Sequence, residues 1–138
     1  MTEITWQLTI DSADPHTQAD FWAAALGYQV EDNSELIAGL LERGYANESD
    51  TLVHRGVRSW VALKAIRGTD RRILFQAVPE SKTAKNRLHL DLNVGPEGLD
   101  AAVQRLTELG ASTVAEVNDR GSHSFVLADP EGNEFCVQ

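Results

Sequence analysis

From Leu88 to Asn93 apolar and polar residues alternate without a break: Leu88, Leu90 and Leu92 against His89, Asp91 and Asn93. Successive side chains of a strand point to opposite faces, so the pattern predicts a strand over Leu88–Val94 with a leucine stripe toward a core. Its other face then carries an imidazole, a carboxylate and an amide, groups that exchange protons or bind polar ligands and metals. The same alternation runs from Trp6 to Asp11. Helical spacing follows it. Asp14 is an N-cap with Pro15 at the first helical position, and Ala19, Phe21, Trp22, Ala25 and Leu26 form a stripe that Gly27 ends. A second helix is expected over residues 34–46, capped by Ser34 and buried through Leu36, Ile37, Leu40 and Leu41. A third carries Leu99, Val103, Leu106 and Leu109 and stops at Gly110. Further strands are expected over 28–30, 51–54, 59–65, 72–78, 112–117, 122–128 and 134–137, with Asp129–Asn133 as a tight turn.

Strand, helix, then several strands: the order occurs twice. Gln7 and His89 are 82 positions apart, and the helix ends Leu26-Gly27 and Leu109-Gly110 are 83 apart. Phe75-Gln76 and Phe135-Cys136 differ by 60, because the first half carries the additional helix and its loop. The expectation is a single α+β domain of two modules, 1–79 and 84–138, joined by a linker at 80–83.

Length and composition fit that reading. A chain of 138 residues can bury a core without staples, and 42% hydrophobic with 24% charged residues is ordinary for a globular protein. A net charge of −9 opposes binding to nucleic acid or to an anionic membrane surface. Cys136, the single cysteine, excludes an internal disulfide. The opening MTEITWQLTID lacks the basic head and apolar run of a secretory signal, and no run approaches the roughly 20 apolar residues of a membrane span, so a cytoplasmic protein is expected.

Three stretches, ADPHTQADFWAAALGY, ILFQAVPESKTAKNRLHLDL and LADPEGNEFCV, cover much of the chain. In them the sequence resembles the vicinal oxygen chelate superfamily of glyoxalases, bleomycin-resistance proteins and extradiol dioxygenases, and more narrowly its glyoxalase-like domain subgroup. The resemblance implies two βαβββ modules whose curved mixed sheets surround a shared cleft. It also implies one metal-ligand position on the first and one on the last strand of each module. Carried onto this chain, those positions are Gln7, Gln76, His89 and Cys136. One histidine with two amides and a thiol departs from the His- and Glu-rich sites that hold zinc, nickel, manganese or iron. With no glutamate at either last-strand position, lactoylglutathione lyase and extradiol dioxygenase chemistry are disfavoured.

The residues themselves leave alternatives open. His89 is either a metal or ligand contact or a hydrogen-bonded part of the sheet face, and Asp91 either orients it, acts as a base, or pairs across strands. Cys136 reads as a soft ligand, a nucleophile or a small buried apolar group. Gln7 and Gln76 suit hydrogen-bonded recognition. Trp60 suits a cleft wall, whereas Trp6 and Trp22 read as core. Lys85-Asn86-Arg87 is either an anion-holding or interface segment or a solvated loop. The ligand-binding set is therefore Gln7, Trp60, Gln76, His89, Asp91 and Cys136, with His89 as the candidate metal ligand. Three functions follow: a small-molecule binding protein of the resistance or sequestration kind, a metal-dependent lyase or isomerase, or a non-catalytic interaction domain. A homodimer is expected.

Overall fold

A computed structural model describes residues 2–138. It divides into two compact units, Met1–Pro79 and Glu80–Gln138. The first contains β1 (Leu8–Ser12), α1 (Pro15–Leu26), β2 (Gln29–Val30), α2 (Ser34–Glu42), a 3-10 turn (Glu48–Asp50), β3 (Thr51–His54), β4 (Val57–Trp60), β5 (Leu63–Arg67) and β6 (Arg72–Ala77). The second contains β7 (Asp91–Leu92), α3 (Leu99–Leu109), β8 (Ser112–Asp119), β9 (Ser122–Ala128) and β10 (Glu134–Val137).

Both units have the same sheet order. In the first it is β1-β6-β5-β2 and in the second β7-β10-β9-β8, so the opening strand lies against the closing one in each. Those two strands run parallel, and the other neighbours are antiparallel. Parallel strands need a crossover connection, and a helix begins each one: α1 after β1 and α3 after β7. The fold is α+β with two modules of mixed sheet, each built as strand, helix and three sheet strands. The β3–β4 hairpin is a separate two-stranded sheet inserted in the first.

The first unit's core lies between α1 and the β5–β6 pair. Ala19, Phe21, Trp22 and Ala23 from the helix join Ala65, Ile66, Ile73 and Phe75 from the strands, all buried. Asp14 caps α1 by accepting from the amides of His16 and Thr17, and Gly27 closes it in the left-handed region at φ 72°. The second core joins Leu99 and Leu106 of α3 with Leu127, Phe135 and Val137.

Several expectations give way. Regular pairing in the second opening strand is confined to Asp91–Leu92, and Leu88 is 85% exposed instead of contributing to a buried stripe. The reason is local: bends at Arg87 and Leu88 interrupt the extended chain, although amides of Cys136 and Gln138 still donate to the carbonyls of Leu90 and Leu92 at 2.9 Å. Trp6 precedes β1 and is 72% exposed, stacked under Arg71 at 5.1 Å, so it is not core. The second helix ends at Glu42, its N-cap is Asn33, and the expected strand 59–65 is split between β4 and β5.

The hairpin is held to α1 by histidines. The His16 Nε2 lies 2.8 Å from the Trp60 carbonyl and must donate to it, while His54 Nε2 meets Asp20 Oδ2 at 2.7 Å. His16 is buried, and its Nδ1 has no partner among the described residues. Burial, with the nearby His54 and Lys64, holds its pKa below the usual histidine range against the opposing pull of the Trp60 carbonyl and Asp14. An unfolded chain therefore takes up this proton first. Stability should fall as pH drops from about 6.5 toward the lowered folded value, by at most about 1.4 kcal/mol per pH unit. The carboxylates of Asp14 and Glu31, whose pKa values are lowered, keep their stabilising contribution in this range and lose it only below about pH 4.5. Urea unfolding at pH 7.5 and 5.5 checks this: the loss seen in the native protein should shrink in His16→Gln, and an equal loss in both would assign it elsewhere.

Candidate functional site

The parallel register of β7 with β10 sets Asp91 beside Cys136 and Leu92 beside Val137. Alternation along β10 sends Phe135 and Val137 into the α3 core, both at most 1% exposed, so Cys136 faces the other way with Asp91. His89, two residues before Asp91, places its Nδ1 2.9 Å from Asp91 Oδ1. Ligand atoms of His89, Asp91 and Cys136 all lie within 4.8 Å of one another. The His89 and Asp91 side chains are about half exposed, and Cys136 is half-buried.

This is a mixed N, O and S donor set. Burial raises the Cys136 pKa above the usual thiol value, and the Asp91 carboxylate adds to the rise by repelling the thiolate and accepting a hydrogen bond from the thiol. Lys85 acts in the opposite direction on the same sulfur. Without a cation the group thus rests as a thiol next to a carboxylate and an imidazole. Thiolate nucleophilicity is correspondingly suppressed.

The first unit carries the same positions with different chemistry. There Asp11 lies beside Gln76, as Asp91 lies beside Cys136. Counting back two residues, Thr9 corresponds to His89. Matching Gln76 to Cys136 sets the opening strands 80 positions apart (91 − 11), against the 82 that separate Gln7 from His89. A carboxylate is kept in both units, while hydroxyl and amide replace imidazole and thiol in the first.

Gln7 lies just before β1, exposed, with its amide oxygen accepting from Arg72 at 3.1 Å. Arg72 in turn forks onto Glu31 with 3.0 and 3.1 Å contacts, a pairing that lowers the Glu31 pKa. Gln76 is exposed on β6, opposite Leu63 on its other neighbour β5. Trp60 lines an open cavity of about 380 Å³ with Ser49, Asp50, Val61, Ala62 and Leu63. Of the six residues inferred from sequence, His89, Asp91 and Cys136 form one group in the second unit, while Gln7, Trp60 and Gln76 belong to the first.

Sequence reasoning missed Glu134. It stands two residues before Cys136, hence on the same sheet face, a relation that strand alternation already contained. Its carboxylate accepts from the Asn86 amide at 3.2 Å and pairs with Lys82 at 3.1 Å. Although burial alone would raise its pKa, hydrogen bonds from its own backbone and Asn86, and the Lys82 ammonium, bring it down to about 2. Glu134 is therefore a committed anchor for the segment 82–86.

A family model described as glyoxalase-like domain matches residues 7–138. No curated protein matches the chain. Among solved structures, the fosfomycin resistance protein FosX from Mesorhizobium loti is 14% identical, with TM-score 0.66, covering 100% of this chain and 92% of its own. A variant of FosX from Listeria monocytogenes, complexed with Mn(II) and 1S,2S-dihydroxypropylphosphonic acid, is 13% identical with TM-score 0.64, covering 100% and 90%. A glyoxalase/bleomycin resistance/dioxygenase family enzyme from Burkholderia phytofirmans is 17% identical with TM-score 0.63, covering 95% and 94%. Likeness at these identities concerns the fold.

Removing the Asp91 charge should lower the Cys136 pKa. The rate of Cys136 alkylation by iodoacetamide at pH 8 is expected to rise several-fold in Asp91→Asn, with the pH profile moved toward neutrality. An unchanged profile would mean that Asp91 does not govern the thiol.

Proposed function

We propose that this chain, which belongs to the glyoxalase-like domain family of the vicinal oxygen chelate superfamily, binds a small organic molecule on the His89 face of its second unit. The observation that carries this reading is the convergence of His89, Asp91 and Cys136 within 4.8 Å on one half-exposed sheet face. An imidazole, a carboxylate and a thiol in that space recognise donors and acceptors on one compact ligand. The role is of the resistance or sequestration kind, in keeping with the fosfomycin resistance proteins that share the fold. No helix among the described residues is long and apolar enough to cross a membrane, and we assign the protein to the cytoplasm.

Compound-dependent stabilisation tests the reading. A ligand at a hundred times its dissociation constant stabilises by about 2.7 kcal/mol, a shift of several degrees in Tm for a domain of this size. Screening small polar metabolites and antibiotics should find such a shift, and His89→Ala should abolish it. A shift that survives in His89→Ala would move the site elsewhere.

The same three donors favour a second reading, a metal-dependent lyase or isomerase. The donor chemistry fits zinc, which takes N, O and S ligands and in catalytic sites leaves a fourth position open. It fits manganese less well, because a thiol is a poor partner for a cation that prefers oxygen. His89 and Cys136 would hold the ion, with Asp91 either ligating or fixing the imidazole by its hydrogen bond to Nδ1. A bound zinc would supply Lewis-acid polarisation of a substrate oxygen. Zinc titration of untagged, metal-free protein should give one ion per chain, with affinity at least about tenfold weaker in Cys136→Ser or His89→Ala. Failure to bind zinc would remove this second reading and leave the first.

Apolar groups on the surface support self-association. Trp6 is 72%, Leu88 85% and Val114 57% exposed, and every residue of β8 is exposed. We assign the protein as a homodimer. Sedimentation should return twice the chain mass, with Leu88→Lys shifted toward monomer. A monomer at tens of micromolar would contradict it.

A further inference from the structure

The segment between the units' last and first strands is unusually basic for this chain. Three of its 12 lysines and arginines, Lys82, Lys85 and Arg87, fall within six positions, although the net charge is −9. Glu134 pins this segment along β10 at two points. Lys82 Nζ lies 3.1 Å from its carboxylate, and Asn86 donates from its backbone to the carboxylate at 3.2 Å and from its side chain to the Glu134 carbonyl at 3.1 Å. Lys85 lies between those two pins, next to Asn86, which is held to Glu134, two positions before Cys136. Its ammonium also acts on the Cys136 sulfur.

Lys82 is consumed by its ion pair, and both partners are largely buried, at 21% and 16% exposure. Lys85 and Arg87 are exposed, and among the described residues neither has an ion-pair partner within 4.0 Å. The carboxylate of the three-residue group, Asp91, is hydrogen-bonded to His89. The segment leading into β7 thus carries two cations outside any ion pair, Lys85 acting on the Cys136 sulfur and Arg87 two residues before His89, on a backbone already tied to Glu134. Preorganised cations of this kind recognise compact oxyanions, lysine as a point charge and arginine as a fork.

We propose that residues 82–87 form an oxyanion-binding strap, in which Lys85, assisted by Arg87, holds a carboxylate, phosphate or phosphonate group of the molecule whose other polar groups meet His89, Asp91 and Cys136. The strap rests on the reading of that face as a binding site and adds the ligand's charge: the molecule is an anion. Glu134 and Lys82 are positioning residues, keeping the strap on β10. Asp91, which repels an anion, turns one carboxylate oxygen to His89, so the ligand's charged group goes to the strap and its uncharged portion meets the imidazole and thiol.

Backbone amide NMR on the full chain tests this with two probes, inorganic phosphate and acetate, each against sodium chloride at matched ionic strength. The amides of 85–91 and 136 should shift and saturate with phosphate, with acetate, or with both, and the probe that works identifies the oxyanion class. Lys85→Ala should weaken that binding about tenfold and Lys85→Arg should restore most of it, whereas Arg120→Ala on the distant β8–β9 turn should change nothing. Shifts no larger than those with chloride, or equal binding in Lys85→Ala, would overturn the strap. Zinc titration on a separate sample keeps the two ideas apart. Zinc-induced shifts at His89 and Cys136 without any phosphate or acetate response would remove the strap and leave the binding face, and the reverse result would leave an anion site without the three-donor group.

Discussion

Each unit closes by laying its last strand parallel to its first. That single pairing joins the two ends of a module, and everything chemically distinctive about the second unit follows from it. Asp91 and Cys136 are far apart in sequence, yet the β7–β10 register makes them direct neighbours. Strand alternation then decides which side chains share a face. Phe135 and Val137 go to the helix, and Glu134 and Cys136 go to the surface that carries Asp91. A slip of one residue would bury the thiol among leucines and turn the phenylalanine outward, which the hydrophobic core forbids. The core therefore enforces the site.

The comparison of the two modules shows how a shared frame can hold unequal chemistry. At equivalent positions the first unit has Thr9, Asp11 and Gln76, and the second has His89, Asp91 and Cys136. The aspartate is common to both, so it belongs to the frame as much as to the site. At these positions imidazole and thiol occur only in the second. At the same positions the first offers hydroxyl and amide groups suited to hydrogen bonding. The thiol's raised pKa bears on its chemistry: with Asp91 beside it, Cys136 is a poor free nucleophile.

Much of this was legible in the residues. The Asp14-Pro15 start and Gly27 stop located α1 to the residue, because capping chemistry is local. The repeated order of elements was visible too, since it depends on hydrophobic period and turns. The register was not. Gln7 and His89 each stand second in an alternating stretch, but which last-strand residue an opening strand lies against is encoded by no local pattern. Trp6 was misread for a related reason: a large aromatic side chain in an alternating run looks buried, yet it precedes the ladder and stacks on Arg71 outside the core. Glu134 was within reach, because two residues before Cys136 on a strand means the same face. Its Lys82 partner was not, since that contact spans 52 positions (134 − 82) and depends on where the linker lies.

The direct measurement of the controlling pairing is the scalar coupling transmitted across backbone hydrogen bonds in a deuterated, isotope-labelled sample. Couplings from the Cys136 amide nitrogen to the Leu90 carbonyl carbon, and from Gln138 to Leu92, are the expected result, matching the 2.9 Å bonds of the parallel ladder. Coupling of Cys136 to His89 or Asp91 instead, or no coupling across these strands, would contradict the register and dissolve the three-residue site with it.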